Sequence, residues 1–208
     1  MSLDQSTVSI LNKCHAKFII ASQHAQIVLV PGRRFIGYSH FFCNLKHPLM
    51  VQIETADRTY FHRYQPENME YIEDSELCVY HSSCLEDISH SCWDLFCWDP
   101  DKELPKKFSA DFVSCKYNTW TKSVEPTWAN VDAEVIKEDF TICDGEYRNT
   151  VSTSIRYEAP TVMSDCGSMI ITNVGGKTKI VGIHVAGRDN KIGMASLLPP
   201  LLPCAQAQ

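Results

Sequence analysis

The sequence predicts an all-β protein made of two antiparallel six-stranded β-barrels, with a short N-terminal helix. Short apolar segments of about four to eight residues alternate with turn residues along most of the chain. Gly175 and Gly176 form a hairpin signal in TNVGGKTK because glycine readily adopts positive φ. Residues 93–109 carry two prolines and mixed charge, and they interrupt this strand rhythm. Two barrels joined by a linker fit this pattern best.

The elements follow in order along the chain. Residues 1–14 form an extension with a helix over 4–14, residues 15–100 the first barrel, 101–112 the linker and 113–208 the second barrel. A turn is predicted near His40, directly after a strand. Strands are predicted at 17–22, 25–32, 34–39, 49–55, 76–81, 111–117, 132–138, 140–145, 150–159, 168–174, 177–187 and 192–198.

Composition narrows the class of protein. Among 208 residues, 44% are hydrophobic and 21% charged, which is typical of a soluble globular chain. We expect no membrane association, since no apolar run approaches the roughly 20 residues of a membrane helix, and the N-terminal residues lack the basic and apolar regions of a signal peptide. The ten scattered cysteines then indicate reduced thiols in a reducing compartment. The net charge of −6 argues mildly against a surface that coats nucleic acid.

Cys166 differs from the other cysteines in its surroundings. It lies in PTVMSDCGSMII, where a turn leads into a predicted strand. The small Gly167 and Ser168 after it leave room for a substrate carbonyl, and consecutive backbone N–H groups in such a turn can bind an oxyanion. We therefore predict that Cys166 is a nucleophile.

A thiol is mostly protonated at neutral pH, so a nucleophilic cysteine needs a base beside it. His40 is the favoured base because it follows a predicted strand on a tight turn, in RFIGYSHFFCNL. A third group should orient its imidazole. Glu76 directly precedes the strand LCVY and is the first choice, with Asp74 as the alternative. The remaining histidines are His15, His24, His47, His62, His81, His90 and His184.

These residues resemble a known family. The order of His40, the acid before Leu-x-Val, DCGS at 165–168 and GIHVAG at 182–187 is similar to the chymotrypsin-fold cysteine proteases of picornavirus-like RNA viruses, the 3C-type proteases. The similarity spans residues 17–200 and is most specific over 157–187. It implies a chymotrypsin-like fold and an endopeptidase that cleaves a viral polyprotein between Gln and a small residue, through an acyl-enzyme thioester, in the host cytoplasm. An insect virus is one candidate source.

The resemblance also implies a specificity pocket. His184 would contact a glutamine side chain at P1, Thr161 would share that contact, and the Tyr157 hydroxyl would keep the imidazole neutral. A neutral imidazole favours glutamine over glutamate. A short strand would bind the substrate backbone by β-augmentation. It consists of Val185, Ala186 and Gly187.

The expected oxyanion hole contains the one clear departure from the family. Its donors would be the backbone N–H groups of Ser164, Asp165 and Cys166. The family usually has glycine at the position of Ser164, and a serine restricts the conformations of that turn. The last residue, Gln208, is what a product excised by cleavage after glutamine would carry.

Three other interpretations compete with this one. Cys78, His81 and Cys84 suggest a structural zinc site, with His90, Cys92 and Cys97 nearby, but alternation along a strand would separate Cys78 from His81. Lys106, Lys107 and Phe108 near the linker suggest weak viral RNA binding. A chain with this fold and no catalysis is the third interpretation, and nothing in the sequence argues for it. We expect no metal and no cofactor.

Overall fold

A computed structural model describes residues 4–118 and 123–203, and most of them lie in antiparallel β-strands. The three α-helices are short: α1 (Gln5–Cys14), α2 (Ser39–Phe42) and α3 (Pro100–Glu103). None of the helices in these ranges is long and apolar enough to cross a membrane. The strands are β1 (His15–Ile20), β2 (Gln23–Val30), β3 (Arg34–Tyr38), β4 (Leu49–Thr55), β5 (Thr59–Tyr64), β6 (Met69–Tyr71), β7 (Leu77–His81), β8 (Lys107–Asn118), β9 (Ser123–Ile136), β10 (Phe140–Asp144), β11 (Tyr147–Val151), β12 (Ser154–Glu158), β13 (Met169–Val174), β14 (Lys177–Arg188) and β15 (Ile192–Leu197).

The first half of the chain forms a curled half-barrel sheet of seven strands in the order β5-β4-β1-β2-β3-β7-β6. Strands β5 and β6 are absent from the sequence prediction. In β5 the apolar Phe61 is 70% exposed while its neighbour His62 is buried, so the apolar pattern runs opposite to the burial. Strand β6 has only three residues. Both strands lie at the edges of the sheet, where apolar alternation is weakest.

The second half forms the predicted six-stranded barrel, which closes in the order β12-β15-β14-β13-β8-β9. Strands β8 and β9 pair along a long hairpin, from Lys107 opposite Glu134 outwards. Because β8 begins at Lys107, the second half of the segment predicted as linker, 101–112, belongs to this strand.

Strands β10 and β11 form a separate hairpin that belongs to neither sheet. Gly145 lies in its turn with φ of +58°, a conformation that favours glycine. The sequence prediction placed one strand over 150–159, and the structure divides this segment between the end of β11 and β12. Ile142 and Val151 of the hairpin are buried and attach it to the rest of the molecule.

One apolar cluster joins the two halves. It contains the aromatic core of the first sheet, where Phe18 packs edge-on against Phe42 with ring centroids 5.0 Å apart. It continues into the second barrel through Met169 and Ile183. Burial of such apolar area is the main favourable contribution to folding. The shared core therefore holds the residues of the first sheet in a defined position against those of the second.

Candidate active site

His40 and Glu76 meet at the end of two paired strands. Strands β3 and β7 are antiparallel with Tyr38 opposite Leu77, and the Ser39 N–H donates to the Glu76 carbonyl at 2.8 Å, so Glu76 and the Ser39–His40 segment extend past the same end of the ladder. The Nδ1 of His40 lies 3.0 Å from Oε1 of Glu76, and the His40 backbone N–H donates to the same oxygen at 2.9 Å. Glu76 is fully buried. Its carboxylate therefore orients the imidazole and leaves Nε2 for other chemistry.

The alternative acid, Asp74, occupies a different place. It adopts φ of +54° in the turn before β7, and its carboxylate accepts hydrogen bonds from the backbone N–H and hydroxyl of Ser152. These contacts hold the base of the β10–β11 hairpin. Between the two candidates, the geometry therefore favours Glu76 as the partner of His40.

Cys166 lies between a 3₁₀ turn at Met163–Asp165 and strand β13. Its Sγ points toward the Val185 carbonyl oxygen at 3.6 Å. His40 and Cys166 both line a cavity of about 460 Å³ that extends along β14. Both also line a second cavity of about 650 Å³ on the other side, toward β2 and β3. The structure thus brings the predicted nucleophile and base together in one cleft between the two halves.

The Cys166 thiol is protonated at neutral pH. Burial, and to a smaller extent repulsion of a thiolate by the carboxylates of Asp165, Asp144 and Glu76, raises its pKa to about 12. Since the thiolate is the nucleophile, attack requires a base that removes the proton as the new bond forms. His40, which lines both cavities with Cys166, is the candidate base.

The turn before Cys166 has a compact hydrogen-bonded shape. The N–H of Asp165 donates to the Val162 carbonyl at 2.9 Å, and the Asp165 carboxylate accepts from the Val162 N–H at 2.8 Å. In this conformation the Asp165 N–H is therefore engaged, so it would have to leave the Val162 carbonyl to act as an oxyanion donor. Ser164, Asp165 and Cys166 stay the predicted donors, and the N–H groups of Ser164 and Cys166 are the first candidates.

Gly167 is required by this turn. Its φ is +91°, and a Cβ at this position would collide with the carbonyl oxygen of Gln26. Its N–H donates to the His184 carbonyl at 2.8 Å. The glycine after the nucleophile therefore has two roles, a positive φ and close contact with the first sheet.

Gln26 is a residue that sequence reasoning missed. It lies in β2 of the first sheet, but its Nε2 donates to the Ser164 carbonyl at 3.0 Å and to the Ser114 hydroxyl at 3.2 Å. Its Oε1 accepts from the Cys115 N–H at 3.0 Å. A polar residue within the buried run AQIVLV was the available signal, since buried amides need partners. Gln26 therefore holds the turn at residues 162–165, before Cys166, from across the cleft.

His184 lies at the base of the cavity beside Cys166, with a side chain that is nearly completely buried. Its Nδ1 is 2.5 Å from the Tyr157 hydroxyl, and Phe112 packs edge-on against its ring at 5.3 Å. Burial lowers the pKa of His184 to about 4, so the ring is neutral at physiological pH. Burial also raises the pKa of Tyr157 well above its usual range, which keeps its hydroxyl protonated.

Thr161 completes this pocket. Thr161 is 3% exposed, and its Oγ1 has no hydrogen-bond partner within the described part of the chain. A buried hydroxyl without a partner costs free energy, so such an atom is a candidate contact for a ligand. A Cβ on Gly187 would come within 2.5 Å of this oxygen, so glycine at 187 keeps the space beside it open.

The segment Val185–Gly187 borders the cleft on one side. Strand β13 pairs with β14 only as far as Ile183, whereas β15 continues along Ala186 and Gly187 to Arg188. The outer part of β14 therefore has a partner strand on one side and faces the cavity on the other. An extended peptide can add to such an edge by β-augmentation.

We expect the protein to lose stability in acid because two of its histidines are buried. Burial lowers the pKa of His15 and of His184 to about 4, from an ordinary value of 6.5. Between pH 4 and pH 6.5 the unfolded chain binds more protons than the folded one. The free energy of unfolding is therefore highest above pH 6.5 and falls as the pH decreases toward 4. Since one pKa unit corresponds to about 1.4 kcal/mol, the free energy of unfolding should fall by several kcal/mol.

Urea-induced unfolding between pH 7 and pH 4 measures this effect. The variant His15→Gln should reduce the slope of stability against pH, whereas the matched variant of an exposed histidine, His47→Gln, should leave it unchanged. A wild-type stability that does not change between pH 7 and pH 4 would contradict the prediction.

The proposed zinc ligands do not assemble. Cys78 is buried in β7, whereas His81 and Cys84 are exposed. Residues 4–118 and 123–203 contain no group of three or more His, Cys, Asp or Glu side chains that could hold a metal ion. Alternation along β7 accounts for the separation of Cys78 from His81.

Relatives of the chain are found among viral polyproteins. Residues 112–189 match the family model of the 3C cysteine protease (picornain 3C). The whole chain is 55% identical to part of the RNA1 polyprotein of Cowpea mosaic virus, and 93% of it is 33% identical to part of that of Broad bean wilt virus 2. The chain spans 11% and 10% of these relatives. That the chain comes from an insect virus stays a prediction.

Solved structures show the same fold. The HRV-C 3C protein with rupintrivir matches 95% of the chain with a TM-score of 0.61 and 14% identity, over 98% of its own length. The MamO protease domain from Magnetospirillum magneticum matches 92% of the chain, and 94% of its own length, with the same score and identity. These structures show that the fold is chymotrypsin-like, and the family model and the polyprotein relatives show that this chain belongs to the 3C-type cysteine protease family of picornavirus-like viruses.

Proposed function

We propose that the chain is an endopeptidase that cleaves a viral polyprotein after glutamine and before a small residue. Cys166 is the nucleophile, His40 the general base and acid, and Glu76 the residue that orients His40. The support is the arrangement of these three side chains around one cleft, with the buried Glu76 carboxylate on the imidazole of His40. The reducing host cytoplasm, which keeps the thiol available, is the proposed compartment.

The reaction proceeds in two stages. The Cys166 Sγ attacks the P1 carbonyl carbon while His40 accepts the thiol proton, and the carbonyl oxygen becomes an oxyanion. The N–H groups of Ser164 and Cys166 bind that oxygen. His40 then donates the proton to the departing amine, which leaves a thioester. Water attacks the thioester with His40 as base, and the carboxylic acid product is released.

Selectivity for glutamine follows from the pocket beside Cys166. The buried, neutral His184 donates through Nε2 to the amide oxygen of a P1 glutamine, since its Nδ1 is occupied by the Tyr157 hydroxyl. Thr161 Oγ1 supplies the second contact, and this buried oxygen, which has no hydrogen-bond partner among the described residues, is the single observation that best supports the assignment. A glutamate at P1 would bring an uncompensated charge into a buried site, at considerable cost.

Cleavage of matched peptides tests the proposal. Peptides that carry the C-terminal residues CAQAQ followed by a small residue should be cleaved after the last glutamine; these residues lie outside the described part of the structure. Replacing that glutamine with glutamate should lower kcat/KM by about 10²- to 10³-fold. Equal cleavage of both peptides would refute glutamine selectivity, and cleavage of neither would refute the protease.

The pH dependence of this preference adds a second measurement. The ratio of kcat/KM for the glutamine and glutamate peptides should stay constant from pH 8 to about pH 5.5, then narrow as His184 gains a proton near its pKa of about 4. The variant Tyr157→Phe should weaken the preference already at neutral pH, because it removes the hydroxyl on Nδ1.

One of the two lysines considered for RNA binding, Lys106, lies beside a carboxylate. Lys106 is 3.9 Å from Glu134, and Lys137 on the same surface is 3.2 Å from Asp101. A phosphate backbone would have to compete with these acidic groups for each lysine. The proposed function therefore does not include RNA binding.

A further inference from the structure

The buried carboxylate of Glu76 uses both of its oxygens, and only one of them serves His40. The other, Oε2, accepts a hydrogen bond from the Tyr147 hydroxyl at 2.9 Å and one from Asn149 Nδ2 at 2.7 Å. Both donors come from β11 of the β10–β11 hairpin, which belongs to neither sheet. The hairpin thus reaches across the cleft and binds the acid of the first sheet from the side opposite His40.

The local sequence explains why two donors reach one oxygen. Residues two apart on a strand point to the same face, so Tyr147 and Asn149 share one face of β11. Asn149 Nδ2 also donates to the Ser75 carbonyl at 3.0 Å, and Ser152 just beyond the strand bonds Asp74. The hairpin therefore contacts three consecutive residues, 74–76, of the turn before β7.

These contacts fit the electrostatic needs of the acid. A carboxylate that is completely removed from water needs several charge-assisted hydrogen bonds to offset its lost hydration. Burial and the Glu76 carboxylate both raise the pKa of Tyr147, so its hydroxyl remains a donor across the working pH range. The centroid of the Tyr147 ring also lies 6.1 Å from that of the His40 ring, and the centroid of the Tyr38 ring lies 4.7 Å from it.

We propose that Tyr147 and Asn149 are positioning residues of the protease, which hold the Glu76 carboxylate in the plane that orients His40. This inference rests on the proposed function, because it assigns the roles that support that triad. Neither residue contacts the reacting atoms, and both act through Glu76. Proper attachment of the β10–β11 hairpin is consequently a condition for catalysis as well as for the shape of the cleft.

Kinetics of single variants test the proposal. Tyr147→Phe removes only a hydroxyl and Asn149→Ala only an amide, and each should lower kcat about 10- to 100-fold with KM little changed. The matched control is Thr150→Val, which removes the exposed hydroxyl bond to Thr141 within the same hairpin and should keep wild-type kcat. If Tyr147→Phe and Asn149→Ala both retain wild-type kcat, the proposal is wrong.

A double-mutant cycle separates positioning from general stabilisation. In a Glu76→Ala background, Tyr147→Phe should have almost no further effect on kcat, because the group through which it acts is absent. If the loss of kcat in the double variant equals the product of the losses in Tyr147→Phe and Glu76→Ala, Tyr147 acts independently of Glu76. That result would overturn the inference.

An NMR measurement keeps the test independent of cleavage. The proton on His40 Nδ1, hydrogen-bonded to Glu76, should give a downfield signal that is missing in His40→Ala. In the Tyr147→Phe/Asn149→Ala double variant this signal should move upfield or disappear through exchange with water, while Thr150→Val should retain it. An unchanged signal would contradict the positioning role. A changed signal in a protein that cleaves no peptide would support positioning and refute the proposed protease.

Discussion

Replacing Cys166 with alanine is expected to lower kcat/KM for the glutamine peptide by at least about 10⁴-fold, which is the scale seen when a nucleophile is removed from a catalytic triad. The reason is that the remaining His40–Glu76 pair has no thiol to activate. The substitution removes one atom from a half-buried side chain, so the fold should persist. Cleavage followed by mass spectrometry measures the loss, and circular dichroism checks the fold.

Cys84→Ala is the matched control, since Cys84 is also a free thiol but is exposed and lies outside the cleft. It should cleave at the wild-type rate. Cys166→Ser should retain more activity than alanine but far less than wild type, because an alcohol keeps the position and loses nucleophilicity. A Cys166→Ala protein as active as the wild type would remove Cys166 from the mechanism.

The residues proposed to carry the chemistry were accessible from sequence because each occupies a distinctive local context. Cys166 lies between a turn and an apolar strand, and His40 follows one. Glu76 was separated from Asp74 only by its position directly before a strand. That position matters physically, since antiparallel pairing of β3 with β7 places Glu76 beside His40. Asp74, two residues earlier, lies in a turn with positive φ and points to Ser152.

The residues that hold these groups were less accessible. Tyr147 and Asn149 lie in YRNTV, a short, largely polar segment with no apolar alternation, and their partner Glu76 lies 71 and 73 positions away, respectively. Gln26 contacts Ser164 over 138 positions. Such hydrogen bonds depend on how the two halves pack, which local periodicity does not encode. The same limit applies to β5, where the exposed Phe61 conceals the strand pattern.

The turn before Cys166 accommodates a departure from the family, the serine at position 164. Serine replaces the usual glycine at 164, yet the turn at 162–165 closes through two hydrogen bonds between Val162 and Asp165. Ser164 itself is exposed, and its carbonyl is held by Gln26. Hydrogen bonds on both sides of Ser164 thus fix the turn in a conformation that serine can adopt. The obligatory glycine is instead Gly167, with its positive φ.

Glu76→Gln is expected to lower kcat by about 10³- to 10⁴-fold, the scale found when the acid of a Ser-His-Asp triad is replaced by its amide. The shape of the side chain is kept, but its charge no longer stabilises the imidazolium. Its amide NH₂ must also face either His40 Nδ1 or the donors Tyr147 and Asn149. Any orientation leaves one buried donor facing another, so the variant should also be less stable to urea.

Asp74→Asn is the matched comparison, because it makes the same chemical change two residues earlier. The Asp74 carboxylate bonds only the base of the hairpin at Ser152, so this variant should lose less than about tenfold in kcat, mainly through looser attachment of β11. Measuring kcat and KM for both variants with the glutamine peptide decides between the acids. A larger loss in Asp74→Asn than in Glu76→Gln would transfer the orienting role to Asp74, and the hydrogen bonds of Tyr147 and Asn149 to Glu76 would then serve folding alone.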